Sequence, residues 1–92
     1  MPRNKAHLLL VDDDKRILSL LSAYLSKNEF LISSARNSTE ARCLLDYFEF
    51  DLLVIDIMMP GESGLDLLES IRKQTSVPAI FLSAKGESKD KI

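Results

Sequence analysis

Three runs of mainly apolar residues, and one shorter segment that begins with three apolar residues, alternate along the chain with segments in which apolar residues recur every three or four positions. The runs are rich in branched side chains, which is typical of strands that are buried on both faces of a parallel sheet. They predict strands at His7–Val11, Phe30–Ser34, Asp51–Ile57 and Pro78–Leu82. The three segments between them have the spacing of amphipathic helices.

The apolar positions of these three segments indicate which face each helix should bury. For the first helix, which begins at Lys15 and ends near Lys27-Asn28, they are Ile17, Leu20, Leu21, Tyr24 and Leu25. The second helix begins with Asn37 and Glu40, which have the spacing of a capping box. Its apolar positions are Ala41, Leu44, Leu45 and Phe48, and we expect Cys43 to be buried as well. For the third, which Ser63 caps, they are Leu65, Leu68 and Ile71, with Leu67 near the edge of the face.

The predicted order of elements is therefore β-α-β-α-β-α-β, and each helix is long enough to connect two parallel strands. Because such connections are almost always right-handed, this order predicts an α/β fold with a doubly wound parallel sheet. Folds of this class bind their ligands at the carboxyl ends of the strands. The residues that follow each apolar run are thus the first candidates for function.

Acidic residues stand at two of these strand ends. Asp12 and Asp13 follow the first strand, and Asp56 lies at the end of the third. If these two strands are neighbours, three carboxylates converge, and their mutual repulsion favours a divalent cation with oxygen ligands, such as Mg²⁺. Asp56 would then be a nucleophile toward phosphorus, while Asp12 and Asp13 serve the metal. The hydroxyl of Ser83, after the fourth strand, can donate a hydrogen bond to a phosphoryl oxygen.

Composition narrows the classes of function. The 92 residues, 46 % hydrophobic and 28 % charged, suffice for one soluble domain. A net charge of −2 provides no basic field that would attract nucleic acid or an anionic membrane. The single cysteine cannot form an internal disulfide, and no apolar run is long enough for a signal peptide or a membrane span. We therefore expect a cytoplasmic location.

Three stretches of the sequence resemble the receiver domain of bacterial two-component response regulators. They are Leu8–Asp13 (LLLVDD), Asp51–Gly64 (DLLVIDIMMPGESG) and Ala79–Gly86 (AIFLSAKG). The resemblance runs from about His7 to Ile92, and it is greatest to the receivers of winged-helix DNA-binding regulators. It implies a flavodoxin-like sheet of strand order 2-1-3-4 and a single receiver-like domain over residues 1–92.

The resemblance also implies roles for the acidic residues. Asp56 matches the aspartate that is phosphorylated in the family, and Asp13 matches the direct ligand of Mg²⁺. Asp12 matches the partner of that ligand, which often acts through water. Met58, two residues beyond Asp56, matches the position whose backbone carbonyl also binds the metal. The implied cofactor is therefore Mg²⁺.

Two further positions follow the fourth strand. Ser83 matches the switch hydroxyl of the family, and Ala84 matches the small residue that leaves room for the phosphoryl group. The implied partners are a sensor histidine kinase and an output domain or partner protein that lies outside this chain. The resemblance implies no direct binding of nucleic acid or membrane by the chain.

The sequence departs from the family after the fourth strand. The family continues with a fourth helix, a fifth strand that ends in lysine before proline, and a last helix, whereas this sequence ends at Ile92. Lys85 follows the fourth strand and does not match that lysine. We therefore expect a receiver that is incomplete at its C-terminus. Its fourth strand would be an exposed edge, which predicts a marginally stable chain or a homo-oligomer formed through Ala79–Leu82.

Three functions agree with these motifs, in decreasing order of preference. The first is a phosphoacceptor signalling module, which a histidine kinase phosphorylates on Asp56 with Mg²⁺ and which does not turn over a metabolite. The second is a degenerate receiver that binds partners without being phosphorylated. The third is a phosphatase that uses Asp12 and Asp14, although Arg16 stands where such enzymes have Thr or Val. A dinucleotide-binding fold and a P-loop are excluded, because aspartates replace the glycine-rich turn after the first strand.

Overall fold

The computed structural model describes residues 5–82, and these form a single parallel sheet with helices on both faces. The strands are β1 (His7–Val11), β2 (Leu31–Ala35), β3 (Leu52–Asp56) and β4 (Ala79–Leu82). The helices are α1 (Lys15–Lys27), α2 (Ser38–Tyr47) and α3 (Gly64–Ile71). The strand order is β2-β1-β3-β4, and every neighbouring pair is parallel. The predicted doubly wound fold and its strand order are confirmed.

The two central strands carry most of the core. Leu9 lies opposite Leu53 in the sheet, and Leu10 lies opposite Val54. Because successive side chains of a strand point to opposite faces, these two pairs belong to separate hydrophobic clusters. The Leu9 cluster packs against α2 and α3, and the Leu10 cluster packs against Leu18 of α1. Helices thus cover both faces, which explains why β1 and β3 are continuous apolar runs.

Helix α1 buries only part of the face that its sequence pattern predicted. Leu20 and Tyr24, two members of the predicted face, are 68 % and 65 % exposed. The helix packs on the sheet through Leu18 together with Leu21 and Leu25, and only the last two belong to the predicted face. These residues also have helical spacing, so the pattern alone offered two overlapping faces. The packing of the helix against the sheet decides between them.

Helix α3 is rotated from its predicted orientation in a similar way. Leu65 is exposed, contrary to the prediction, and Leu67, which was expected near the edge of the face, is fully buried. Ile71 is buried as predicted, and Leu68 packs against the core. The buried stripe consists of Gly64, Leu67 and Ile71. A Cβ atom at Gly64 would overlap the backbone carbonyl oxygen of Asp56, so the helix approaches the end of β3 at a residue without a side chain. A hydrophobicity pattern does not count glycine, so it did not predict that the stripe through Gly64 and Leu67 is the one that faces the sheet.

Helix α2 begins with the cap that the sequence predicted, but with a different second hydrogen bond. The side chain of Asn37 accepts a hydrogen bond of 2.9 Å from the backbone N–H of Glu40. The Glu40 carboxylate in turn accepts from the N–H of Arg36, one residue before the position that a capping box uses. Cys43 is exposed, contrary to expectation, because Ala41 and its apolar neighbours occupy the inner face.

The helices of residues 5–82 are short. The longest, α1, has 13 residues, whereas a helix needs about 20 apolar residues to span a bilayer. None of the helices in this part of the chain is long and apolar enough to cross a membrane.

Candidate functional site

The carboxyl edge of the sheet brings three carboxylates together. β1 and β3 are neighbours, and Val11 is paired with Ile55, so the residue after each of them lies at the same edge. Asp12, Asp13 and Asp56 each offer one carboxylate oxygen, and these three atoms lie within 4.8 Å of one another. The condition set by the sequence, that the first and third strands be adjacent, is met.

The three side chains differ in their exposure to solvent. Asp56 is 2 % exposed and Asp12 is 6 % exposed, and they are the buried polar residues of the described chain. Asp13 is exposed. Burying a carboxylate without a compensating charge is unfavourable, because the protein interior solvates the charge less well than water does. The site is therefore built at a cost in folding free energy.

Backbone N–H groups hold two of the carboxylates. Oδ1 of Asp12 accepts a hydrogen bond of 2.9 Å from the N–H of Asp14, where α1 begins. The backbone N–H of Asp12 donates to the carbonyl of Ala35 at 3.1 Å, which ties this turn to the end of β2. Oδ1 of Asp56 accepts from the N–H of Met58 at 3.2 Å. The turns after β1 and β3 thus orient the carboxylates.

One oxygen of the site has no hydrogen-bond donor among residues 5–82. It is Oδ2 of Asp56, which is buried. Native proteins rarely leave a buried carboxylate oxygen without a partner, and exceptions are often functional. A divalent cation that prefers oxygen ligands matches both the unpartnered atom and the three-carboxylate set. The residues present therefore fit a Mg²⁺ site.

The electrostatics of the cluster also favour a bound cation. Burial raises the pKa of Asp12 above its usual range. The hydrogen bond from the N–H of Asp14 opposes this shift, and the negative charges of Asp56 and Asp13 add to it. The carboxylates repel one another when all are ionised. A bound cation would relieve that repulsion.

The segment of residues 57–63, here called the β3–α3 loop, returns the chain from Asp56 to α3. It turns at Gly61, whose positive φ of 78° suits a residue without a side chain. Ser63 caps α3 by accepting a hydrogen bond from the N–H of Asp66 at 3.1 Å. The N–H of Gly64 donates to the carbonyl of Ile57 at 2.9 Å. The loop is thus closed by a hydrogen bond between its first residue and the start of α3.

Sequence reasoning missed an ion pair that contacts this loop. Arg42 of α2 donates to Oε2 of Glu62 at 2.8 Å. The two residues are 20 positions apart, and no local spacing connects them. Arg42 lies within the predicted second helix and Glu62 in the loop before the third, and no sequence motif distinguishes either residue.

The structure describes only one of the remaining predicted site residues. Met58 is exposed and follows Asp56 in the β3–α3 loop, and the binding of metal by its backbone carbonyl stays a prediction. Ser83 and Ala84 lie outside the described residues, and their roles stay predictions as well.

The chain is similar to proteins of one family over nearly its whole length. Residues 8–92 match the family described as the response regulator receiver domain. Protein PetR of Rhodobacter capsulatus is 45 % identical over 92 residues, which are 100 % of this chain and 39 % of PetR. The transcriptional regulatory protein ResD of Bacillus subtilis is 37 % identical over 89 residues, which are 97 % of this chain and 37 % of ResD. The chain thus spans about two fifths of these curated relatives.

A solved structure shares the fold. It is the response regulator protein TrrA of Thermotoga maritima, solved in complex with Mg²⁺ and BeF. It matches with a TM-score of 0.74 and 36 % sequence identity, and the match covers 83 % of this chain and 65 % of TrrA.

Proposed function

The chain belongs to the family of response regulator receiver domains, and from that premise we propose that it is the phosphoacceptor module of a two-component signalling system. A sensor histidine kinase phosphorylates Asp56 in a reaction that requires Mg²⁺. Residues 1–92 act as one receiver-like domain that relays a conformational switch to an output domain or partner protein. The domain accepts a phosphoryl group and does not turn over a metabolite.

One observation carries this proposal. Three carboxylates, two of them buried, converge within 4.8 Å at the carboxyl edge of the sheet, and the buried Oδ2 of Asp56 has no hydrogen-bond donor in the described chain. A purely structural aspartate at a strand end would be paired or exposed to water. The arrangement supports a site that is completed by a cation and a phosphoryl group.

The residues that would hold Mg²⁺ are Asp12, Asp13, Asp56 and the backbone carbonyl of Met58. The cation, when bound, supplies positive charge that offsets the negative charge of the phosphoryl oxygens. The related protein TrrA was solved in complex with Mg²⁺ and BeF, which supports this part of the proposal.

The transfer itself requires one bond to form and one to break. A carboxylate oxygen of Asp56 forms a bond to the phosphorus atom, while the P–N bond of the kinase phosphohistidine breaks. The electron pair of that bond returns to the imidazole nitrogen, which is then free to take up a proton. The product is a mixed anhydride on Asp56. The N–H of Met58, which donates to Oδ1 of Asp56, orients the carboxylate for this attack.

Two residues beyond the described part complete the proposal. Ser83 would donate its hydroxyl hydrogen bond to a phosphoryl oxygen and act as the switch, and Ala84 would leave room for the group. Both assignments are supported by the sequence resemblance alone. A cytoplasmic location, and the absence of direct binding to nucleic acid or membrane, also stay predictions from the sequence.

Phosphorylation of the purified protein by acetyl phosphate and Mg²⁺ tests the proposal, with intact-mass spectrometry as the measurement. We expect the parent protein to gain the mass of one phosphoryl group and the Asp56→Ala variant to gain none. Asp46→Ala is a matched control, since Asp46 is an exposed aspartate on α2. It should gain the same mass as the parent.

The opposite results are equally clear. A mass gain in the Asp56→Ala variant would show that a residue other than Asp56 accepts the phosphoryl group. No gain in the parent, together with retained binding to a kinase, would favour the degenerate receiver that acts only as an interaction module.

A further inference from the structure

We propose that Arg42 is a positioning residue for the acidic site and acts through the β3–α3 loop, an inference that rests on the proposed function. Arg42 lies on α2 and contacts none of the three carboxylates through the hydrogen bonds and ion pairs of the described residues. Its side chain instead fixes the loop that leaves Asp56. That loop carries the Met58 backbone, which contacts Asp56 and is the expected source of a metal ligand.

A single guanidinium nitrogen joins three parts of the structure. Nη2 of Arg42 donates to Oε2 of Glu62 in the β3–α3 loop at 2.8 Å and to Oγ of Ser70 on α3 at 2.7 Å. Oγ of Ser70 then donates to the carbonyl of Leu67 at 3.2 Å. The nitrogen has two hydrogens, so both bonds can form at once. Helix α2 is thereby tied to the loop and to α3 by the same group.

Glu62 is held from α2 by Arg42. The hydrogen bond from Arg42 is the main cause that lowers the pKa of Glu62, and the hydroxyl of Ser38 adds to this shift. Ser38 and Arg42 are four residues apart and therefore lie on the same side of the helix. An isolated, half-exposed ion pair contributes little to stability. Here the side chains of Arg42, Glu62 and Ser70, from α2, the loop and α3, form one network, and a network of this kind restrains geometry more than one pair does.

The loop transmits this restraint to Asp56 at both of its ends. At the C-terminal end, Glu62 is followed by the cap residue Ser63 and by Gly64, which packs against the backbone carbonyl of Asp56. At the N-terminal end, the N–H of Met58 donates to Oδ1 of Asp56. Releasing Glu62 from α2 therefore loosens the segment that orients both the Asp56 carboxylate and the Met58 backbone.

The substitutions Arg42→Gln and Glu62→Gln test this role in the 92-residue protein. We expect each to raise the dissociation constant for Mg²⁺, measured by isothermal titration calorimetry, about three- to tenfold. We also expect faster hydrogen–deuterium exchange of the amides of residues 57–63. Arg42→Lys, which keeps the charge, should recover part of the affinity. The double variant should bind Mg²⁺ no more weakly than the weaker-binding single variant, since both changes break the same contact.

Two exposed residues provide matched controls. Arg36 is exposed, and its hydrogen bond to Glu40 is made by the backbone N–H, so Arg36→Gln removes a positive charge without removing that bond. Glu69→Gln removes an exposed negative charge from α3. Both should bind Mg²⁺ with the affinity of the parent.

The result that overturns the inference is a folded Arg42→Gln protein whose Mg²⁺ affinity and loop exchange equal those of the parent. A variant that unfolds at a lower temperature but binds Mg²⁺ with the affinity of the parent would show a role limited to stability. That result would also overturn the inference. If Arg42→Gln does not fold, Glu62→Gln decides the question, because it leaves the bond between Arg42 and Ser70 in place. If the parent gains no phosphoryl group, the proposed function fails, while the Mg²⁺ and exchange measurements still decide the role of Arg42.

Discussion

Asp12 and Asp56 lose almost all contact with solvent, although aspartate is among the residue types that proteins most often leave exposed. Their position at two adjacent strand ends causes this, because the turns that follow β1 and β3 fold over the edge of the sheet. At the residue scale, the consequence is a pair of buried carboxylates whose negative charge costs folding free energy unless a bound cation offsets it. The acidic site is thus a place where function opposes stability.

The substitution Asp12→Asn should stabilise the protein at pH 7 when Mg²⁺ is chelated. The pKa of Asp12 is raised in the folded protein, so the folded state binds the proton more tightly than the unfolded state does. The contribution of Asp12 to stability is then greatest at low pH, and it falls as the pH rises from the ordinary carboxyl value through the folded pKa. Asparagine does not ionise, so the Asp12→Asn protein does not lose this stability as the pH rises. Thermal unfolding in EDTA from pH 4 to pH 8 measures it.

The same substitution should reduce the stabilisation that Mg²⁺ confers, because it removes one carboxylate of the cluster. Glu49→Gln is the control, since Glu49 is an exposed carboxylate in the loop after α2. It should leave both the pH dependence and the effect of Mg²⁺ unchanged. An Asp12→Asn protein that unfolds at a lower temperature than the parent in EDTA at pH 7 would contradict the prediction.

At the scale of the elements, contacts distant in sequence decide how each helix is rotated. Helix α3 begins at Gly64, and the close approach of this residue to β3 fixes which side of the helix faces the sheet. Helix α1 has apolar residues around more than one side, and its packing against Leu10 and Val54 selects the side that contains Leu18. The starts of both helices and the end of α1 were nevertheless evident from the sequence, because caps and breaks are local signals.

The substitution Gly64→Ala should destabilise the protein by about 3 kcal/mol, near the upper limit for overpacking a well-packed site. The new methyl group would overlap the backbone carbonyl of Asp56 and crowd the side chain of Ile55, and a backbone atom cannot move aside cheaply. Urea unfolding gives the free energy. Because the displaced atom belongs to Asp56, phosphorylation by acetyl phosphate should also become slower.

Gly61→Ala is the comparison for this prediction. A Cβ atom at Gly61 meets nothing within 4 Å, but the residue has a φ of +78°. We therefore expect a smaller loss of about 1 kcal/mol, which comes from backbone strain alone. Equal losses for the two alanine variants would show that the contact between α3 and β3 is not tight.

At the scale of the whole molecule, the described sheet has two edges, β2 and β4. β4 is the shortest strand, and its Ile80 side chain is exposed. A strand edge that is not covered offers backbone hydrogen bonds to another chain. β4 is therefore an edge of the described sheet through which another copy of the chain could pair.

We predict that the 92-residue protein self-associates through β4. Sedimentation velocity over a dilution series should show a mass that falls toward the monomer mass of 10.4 kDa at low concentration. Ile80→Lys should shift the equilibrium toward the monomer, because a charge at a strand edge disfavours pairing. Leu31→Lys places the same charge on an exposed residue of β2 and should have little effect. A folded monomer at every concentration would refute the prediction.

The sequence by itself determined the positions of all seven elements in residues 5–82, the parallel sheet, and the three aspartates that meet at its edge. These features follow from apolar runs, helix caps and strand ends, which are properties of short segments. Only the tertiary structure decided which sides of α1 and α3 are buried, and which charged residues contact the β3–α3 loop. The pairing of Arg42 with Glu62 depends on the relative placement of α2 and α3, and the rotation of a helix depends on the shape of the surface that it covers. Both depend on contacts between residues far apart in the chain, and a local pattern of hydrophobicity does not contain that information.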